Sequence, residues 1–400
     1  MTLSMTHLRL MAFALALPAF AVSLWIATTW PIEPIMPSYL DIAEKLRSVR
    51  IPKSFEPIGY PFLISGWLFD SVEATLRFVH LASFWVLIAM ALLLAWTEAR
   101  PGKFRHDAVP VAHAALFALC LAVTFYTPYF LLGLVRVSDN GVNIAFCAVL
   151  FLCAMRGAER PFAIVLVAPI LLALFVVVRP NAITLLPLAI GLVLWHRLGT
   201  SRALLAAAVF VVAFVAFSIA ISGTLAFWPS NGGYNLFAGN NPFARDMLAT
   251  NYNAEYSLDA ALKWCGVEGD RYVVADRDHA ACARKFVSER PLEAFQLAAY
   301  KVYTLMFRPN LKLADTGMKT AFQVLIVLPG IVWWLAVLLV RRFRSAGPVR
   351  IAVVMAILYA APFVVANADP RFRIPLDVFY ALSTLAFLAR DARGRYAEED

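Results

Sequence analysis

The chain is poor in charge and in the residues on which familiar site chemistry is built. Of 400 residues only 15% are charged, with 6 histidines and 5 cysteines. His7, His80, His106, His113, His196 and His279 never fall at metal-ligand spacing. There is no Gly-rich phosphate loop and no dinucleotide fingerprint, so ATP-driven transport and nucleotide cofactors have no support. No Gly-x-Ser-x-Gly elbow occurs. Asp and Glu are nearly missing from the centres of the apolar blocks. That argues against a proton-coupled transporter, which places ionisable relays at mid-membrane.

What the chain has is hydrophobicity: 62% apolar residues and a mean hydropathy of +0.72. This excludes a soluble globular domain and points to a polytopic membrane protein. The net charge of +9 does not describe a nucleic-acid surface, because Lys and Arg cluster at the ends of apolar blocks. The blocks are 8–30, 75–97, 108–128, 141–156, 161–178, 181–196, 203–225, 320–340, 349–367 and 373–390, about ten spans. Alternate loops carry Arg100/Lys103/Arg105, Arg156/Arg160, Arg197/Arg202 and Arg341/Arg342/Arg344/Arg350, and Arg390, Arg393 and Arg395 follow the last block. The positive-inside rule places these loops and both termini in the cytoplasm. Arg9 and the later Ala19-Phe20-Ala21 resemble a cleavable signal, but the apolar run continues to Trp30, so an uncleaved first helix is expected.

The expected fold is therefore all-α and membrane-integral. A transmembrane module spans 1–225 and includes a first outer loop, 31–74. An extracytoplasmic subdomain covers 226–319, and the last spans and a short cytoplasmic tail cover 320–400. In the first loop, Tyr39, Ile42, Ala43 and Leu46 recur at helical spacing, which predicts an amphipathic helix on the membrane surface. In the subdomain, helices are expected near 278–290 and 291–307, the latter partly embedded. Cys120, Cys147 and Cys153 read as buried hydrophobes. Cys265 and Cys282 share one outer loop, where a disulfide and two separate thiols both fit.

The outer side collects the unusual residues. The fifth and sixth blocks meet at Arg179-Pro180-Asn181, where proline breaks the helix and leaves Arg179 at its outer end. That arginine either snorkels to headgroups or binds an anion. The run 232–242, with Tyr234, Asn235, Phe237, Asn240 and Asn241, reads as an ordinary loop or as a lid whose amides and rings suit a sugar. Arg371 and Arg373 follow Asp369-Pro370, as interfacial anchors or as phosphate ligands, with Asp369 placed to pair with one of them.

Four segments occur in order: Tyr39-Leu40-Asp41-Ile42-Ala43-Glu44-Lys45-Leu46 followed by Gly59-Tyr60-Pro61, then Arg179-Pro180-Asn181, then Gly233 to Pro242, then Arg371-Phe372-Arg373-Ile374-Pro375-Leu376. Together they resemble the polytopic GT-C glycosyltransferases. More narrowly, they are similar to bacterial relatives of dolichyl-phosphate-mannose:protein mannosyltransferases and of the lipid A aminoarabinose transferase. The resemblance runs from the first span to the last. It implies transfer of a sugar from a polyprenyl-phosphate-type donor, with inversion, to a lipid, glycan or protein acceptor at the outer face of the inner membrane. A first-loop carboxylate would act as base and basic residues would hold the lipid phosphate.

On that resemblance the candidate catalytic residues are Glu33, Asp41 and Asp139. The candidate substrate contacts are Tyr39, Tyr60, Arg179, Asn235, Asn240, Asn241, Arg371 and Arg373. Asp139 matches an acidic position often found in relatives. The chain departs from the family pattern where an Asp usually precedes the tyrosine equivalent to Tyr39, because Ile35-Met36-Pro37-Ser38 stands there. Either Glu33 or Asp41 substitutes, or Asp139 is the base, or ordinary transfer is lost. Asp41 also reads as a solvated residue of its amphipathic helix. A divalent cation stays open as a cofactor. The expected partners are membrane lipids and the lipid-linked donor, not nucleic acid. The rival readings are a non-catalytic lipid-binding or assembly protein on the same scaffold, and a transporter of a lipid-linked glycan.

Overall fold

The computed structural model describes residues 2–32, 37–48, 59–66, 68–98, 108–126, 128–135, 138–157, 159–195, 198–222, 232–249, 256–268, 274–307, 316–368 and 370–391. Strand β1 (Thr2–Ser4) leads into α1 (Met5–Thr29). The first outer loop contributes α2 (Pro37–Leu46) and the short α3 (Gly59–Ile64) before α4 (Val72–Glu98). Strand β2 (Ala108–Pro110), α5 (Val111–Tyr126) and α6 (Pro128–Gly133) lead to α7 (Asn140–Arg156). A π turn opens α8 (Ala168–Val178), and a 3-10 turn, Pro180–Leu185, opens α9 (Leu186–Trp195). After α10 (Thr200–Ser222) come five shorter helices, α11 (Gly232–Gly239), α12 (Ala244–Ala249), α13 (Tyr256–Cys265), α14 (Asp276–Glu289) and α15 (Pro291–Phe307). The chain returns through α16 (Thr316–Leu339), α17 (Arg341–Ser345), α18 (Gly347–Val365), a 3-10 turn at Pro370–Arg373 and α19 (Ile374–Asp391).

Each of the ten apolar blocks contains a helix, with ends shifted by a few residues. Among the described residues, four stretches are long and apolar enough to cross a membrane: Thr6–Thr29, Val72–Thr97, Thr200–Ser222 and Gly347–Val365. At 1.5 Å per residue the 25 residues of α1 reach about 37 Å, more than the roughly 30 Å of a hydrocarbon core. The outward faces are themselves apolar, with Leu17 68%, Leu204 67% and Val212 69% exposed. Large aliphatic groups arrayed like this along helices suit a lipid solvent. Helix α19 lies at the centre, packed on α4, α5, α7, α16 and α18, with Phe379, Leu382, Leu385 and Ala386 buried.

The helix ends sort into two groups. Arg9, at the start of α1, lies over the Trp96 ring near the end of α4 and donates to the Trp96 carbonyl. Arg156, at the end of α7, donates to Thr97. Strands β1 and β2 pair antiparallel, which joins the starts of α1 and α5 at this same end. At the other end, Arg77 of α4 donates to the Ala27 carbonyl (2.6 Å) and the Trp30 carbonyl (2.9 Å). These close the C-terminus of α1, where a cation is also favoured by the helix dipole. Following the chain, the second end collects α2, α3, Asp139, Arg179, α11–α15 and the turn Pro370–Arg373.

Helices α11 to α14 share a second core of Phe237, Met247, Leu258, Leu262 and Ala283. Cys265 and Cys282 form a disulfide across it, with Cα atoms 5.6 Å apart and a sequence separation of 17. A loop of this size contributes ~3 kcal/mol by the chain-entropy estimate. Cys282→Ser is therefore expected to lower the melting temperature of the purified protein and to leave α18 and α19 folded. Intact mass without reductant should match the oxidised chain; a fully reduced mass from the native membrane contradicts the linkage.

Candidate functional site

Asp139 immediately precedes α7, and its carbonyl accepts the Asn143 N–H at 3.0 Å. Ser138 Oγ accepts the Asn140 N–H at 3.1 Å, which ties the loop to the helix start. Arg179 follows α8 in an extended conformation, φ −142° and ψ 96°, because Pro180 forbids another helical residue there. The two chain breaks meet. Arg179 Nη1 lies 2.9 Å from Asp139 Oδ2 and donates to Asn140 Oδ1 at 3.1 Å. The two charged side chains are only 7% and 14% exposed. The guanidinium carbon sits 4.4 Å from the centre of the Phe372 ring and 5.4 Å from that of Phe363, within cation–π range.

The first outer loop reaches this pair through a close backbone approach. A Cβ added at Gly59 would stand 2.3 Å from the Val177 carbonyl oxygen, so only glycine lets α3 lie against the end of α8. Tyr60, the next residue, is fully buried. Its hydroxyl is 2.9 Å from His80 Nε2, and its ring centre is 5.1 Å from that of Tyr39. Burial, and then the Asp139 carboxylate, raise the Tyr60 pKa well above its ordinary value, against a lowering by the Ser138 backbone. Tyr60 is therefore a neutral phenol that orients other groups and is unsuited to act as a phenolate base.

Of the residues expected from sequence, Tyr39, Tyr60, Asp139 and Arg179 converge here. Glu33 and Asp369 lie outside the described residues, as does the side chain of Arg371. Asp41 is exposed on α2, and Asn235 is half-buried on α11. Arg373 is buried elsewhere. Its Nε is 3.1 Å from Asp377 Oδ1, and it donates to the carbonyls of Met306 (2.8 Å) and Val327 (3.2 Å), joining α15, α16 and α19.

Asn240 and Asn241 turn their amides to backbone. Asn240 Nδ2 donates to the Leu236 and Val365 carbonyls, both at 2.8 Å. Asn241 Nδ2 donates to the Phe237 carbonyl at 2.8 Å, and its Oδ1 accepts the Phe243 N–H at 2.8 Å. Sequence reasoning did not single out His80, Asn140, Phe363 or Phe372. Asn140, next to Asp139, and Phe372, between Arg371 and Arg373, carried a positional signal; His80 and Phe363 sit within apolar blocks without one.

Among the described residues no three His, Cys, Asp or Glu side chains converge as a metal site. Comparison with protein-family models, curated proteins and solved structures found no match.

A buried ion pair is costly to break from one side, because the remaining charge has no water to receive it. Arg179→Met alone and Asp139→Asn alone are each expected to destabilise by about 3–5 kcal/mol, and the double variant by clearly less than their sum. Thermal unfolding of the four proteins in one detergent measures the coupling, and strict additivity would show that the two groups act independently.

Proposed function

We propose that the protein is a membrane glycosyltransferase that moves a sugar from a polyprenyl-phosphate-type donor to an acceptor at the outer face of a bacterial-type inner membrane. The observation that carries this reading is the Asp139–Arg179 pair, buried at one end of an apolar bundle beneath Phe363 and Phe372 and beside Tyr60. Three of the four segments behind the GT-C resemblance contribute to that one place. A guanidinium suits a phosphate because its planar fork matches two oxygens at once. The Asp139 carboxylate shows that this guanidinium accepts an oxyanion partner at 2.9 Å.

Donor phosphate exchanges with that carboxylate on Arg179. Asp139, released, accepts the proton of the acceptor hydroxyl as the acceptor oxygen bonds to the anomeric carbon. The bond from the anomeric carbon to the phosphate oxygen breaks, and its electron pair leaves with the phosphate, whose growing charge Arg179 stabilises. The site then faces the extracytoplasmic side and both termini face the cytoplasm. The basic loops at the end opposite Arg179 support this orientation, as does the disulfide in the helices at the Arg179 end.

One observation favours a second reading. Arg179 already has its counter-charge in Asp139, which also suits a structural ion pair in a lipid-binding protein without catalysis. Purified protein given a panel of short-chain polyprenyl-phosphate sugars separates the two. Asp139→Asn is expected to reduce transfer by about 10²–10⁴-fold, with Glu33→Gln and Asp41→Asn near wild type. Arg179→Ala should weaken donor binding about ten- to a hundredfold, the worth of a charged hydrogen bond, with incomplete rescue by Arg179→Lys. Collapse in Glu33→Gln instead moves the base to the first loop. Donor binding without transfer in the wild type favours the non-catalytic reading.

Orientation is tested by a membrane-impermeant thiol reagent on intact cells. A cysteine at Ser257 should be labelled and one at Ser345 should not; the reverse pattern puts the site on the wrong face.

A further inference from the structure

Helix α18 ends at Val365, where its last carbonyls have no partner within the helix. Two side chains from elsewhere cover that end. Asn240 Nδ2 donates to the Val365 carbonyl at 2.8 Å, and Lys301 Nζ of α15 donates to the same oxygen at 3.4 Å. Lys301 Nζ also donates to Asn240 Oδ1 at 3.0 Å, which closes the triangle. Beside it, a Cβ added to Gly239 would stand 1.6 Å from the Ala366 oxygen, so the end of α11 lies directly on the backbone that follows α18.

We propose that the Lys301–Asn240 clasp is a latch that seats helices α11 and α15 on the outer end of α18, which makes Lys301 a positioning residue for the Asp139–Arg179 site. Phe363 lies two residues before Val365, and Phe372 lies in the turn that follows; both rings flank Arg179. Arg373 extends the connection, since its guanidinium holds the Met306 carbonyl of α15. A shift of α15 therefore moves the aromatic walls of the site. The functional half of this inference rests on Arg179 being a phosphate ligand; the latch itself does not.

The choice of lysine has a consequence. Lys301 is 1% exposed, and its hydrogen-bond partners are an amide and a carbonyl. The elements packed on α15 carry Arg245 and Asp246 (α12), Asp276, Arg277, Asp278, His279, Arg284, Lys285 and Glu289 (α14), Arg350 (α18), and Arg373. Arg245 lies over the Tyr300 ring, Lys285 over the Trp264 ring, and Arg373 pairs with Asp377. Among the described residues no carboxylate forms an ion pair with Lys301. Burial lowers its pKa from an ordinary 10.5 to about 7. His279, packed by Tyr234 and Phe237, is pushed by burial below its ordinary 6.5, against the raising effect of the Asp276 and Asp278 carboxylates.

Opening the latch hydrates Lys301 and restores its ordinary proton affinity. A groove of about 560 Å³, lined in part by Asn240, Val364, Val365 and Arg284, adjoins the clasp and admits water there. Between the two pKa values the open form binds more protons than the closed form, so acidification favours opening. The open-to-closed ratio rises roughly tenfold from pH 8 to pH 6 and then levels off.

The test uses the full chain with Cys120, Cys147 and Cys153 each replaced by alanine and with Thr304→Cys. Thr304 is fully buried, one turn beyond Lys301. Maleimide labelling is measured from pH 6 to pH 8 and divided by the rate in the same chain carrying Lys301→Met, which cancels the thiol's own titration. The expected ratio falls about tenfold from pH 6 to pH 8. Asn240→Asp, which gives Lys301 a carboxylate, should flatten it. The melting temperature of the wild type relative to Lys301→Met should rise over the same pH interval, and this needs no introduced cysteine. At pH 8, Lys301→Met should weaken farnesyl phosphate binding about tenfold. A ratio independent of pH overturns the latch. A pH-dependent ratio in a wild type that binds no farnesyl phosphate leaves the latch standing and removes the phosphate reading of Arg179.

Discussion

A guanidinium carried to the end of an apolar bundle must bring its counter-charge with it. Around Arg179 that requirement organises the backbone. Helix α8 must stop at Val178 so that the side chain can turn, and α7 must start beside it so that Asp139 and Asn140 arrive together. The first outer loop must then approach without a Cβ at Gly59, or Tyr60 would be held away from Asp139 and His80. Phe363 and Phe372 complete the enclosure from α18 and the turn after it. Low dielectric strengthens the pair and also penalises any arrangement that leaves one partner alone.

Elsewhere the scarce polar side chains serve mainly as fasteners for helix ends. Arg77 closes the end of α1, and Asp276 accepts the N–H groups of Gly233 and Tyr234 at the start of α11, each at 2.9 Å. Asn240 and Lys301 close α18, and Arg373 covers Met306 and Val327. In a largely apolar protein, open carbonyls and amides at helix termini have little water to bond. The amides of Asn240 and Asn241 are engaged in this way, so the Gly-Asn run acts first as a joint between the outer helices and the bundle.

Much of the architecture was legible because it depends on local pattern. Apolar block length marked the helices, Pro180 marked the break, and the acid before α7 and the arginine after α8 stood out as isolated charges. The partners of those charges were less legible. Asp369, one partner the sequence offers Arg373, lies outside the described residues; Arg373 also meets Asp377 four residues on, a spacing visible in the sequence but indistinguishable there from a solvated helical pair. Lys301 carries no signal in the sequence, since a lysine within an amphipathic helix ordinarily faces water. Its burial follows from Asn240, some 61 positions away, and Val365, 64 away. Periodicity tells which face is apolar. It does not tell which distant carbonyl a polar atom on that face will meet.

The β1–β2 ladder has a bearing on how the chain is made. Its two halves, Thr2–Ser4 and Ala108–Pro110, are separated by the whole of α1 and α4. During synthesis the first strand waits, unpaired, until the second has left the ribosome. Its closure sets the starts of α1 and α5 side by side, and with α4 packed on α1 the ladder ties three helices into a unit whose mutual contacts need none of α7, α8 or α19.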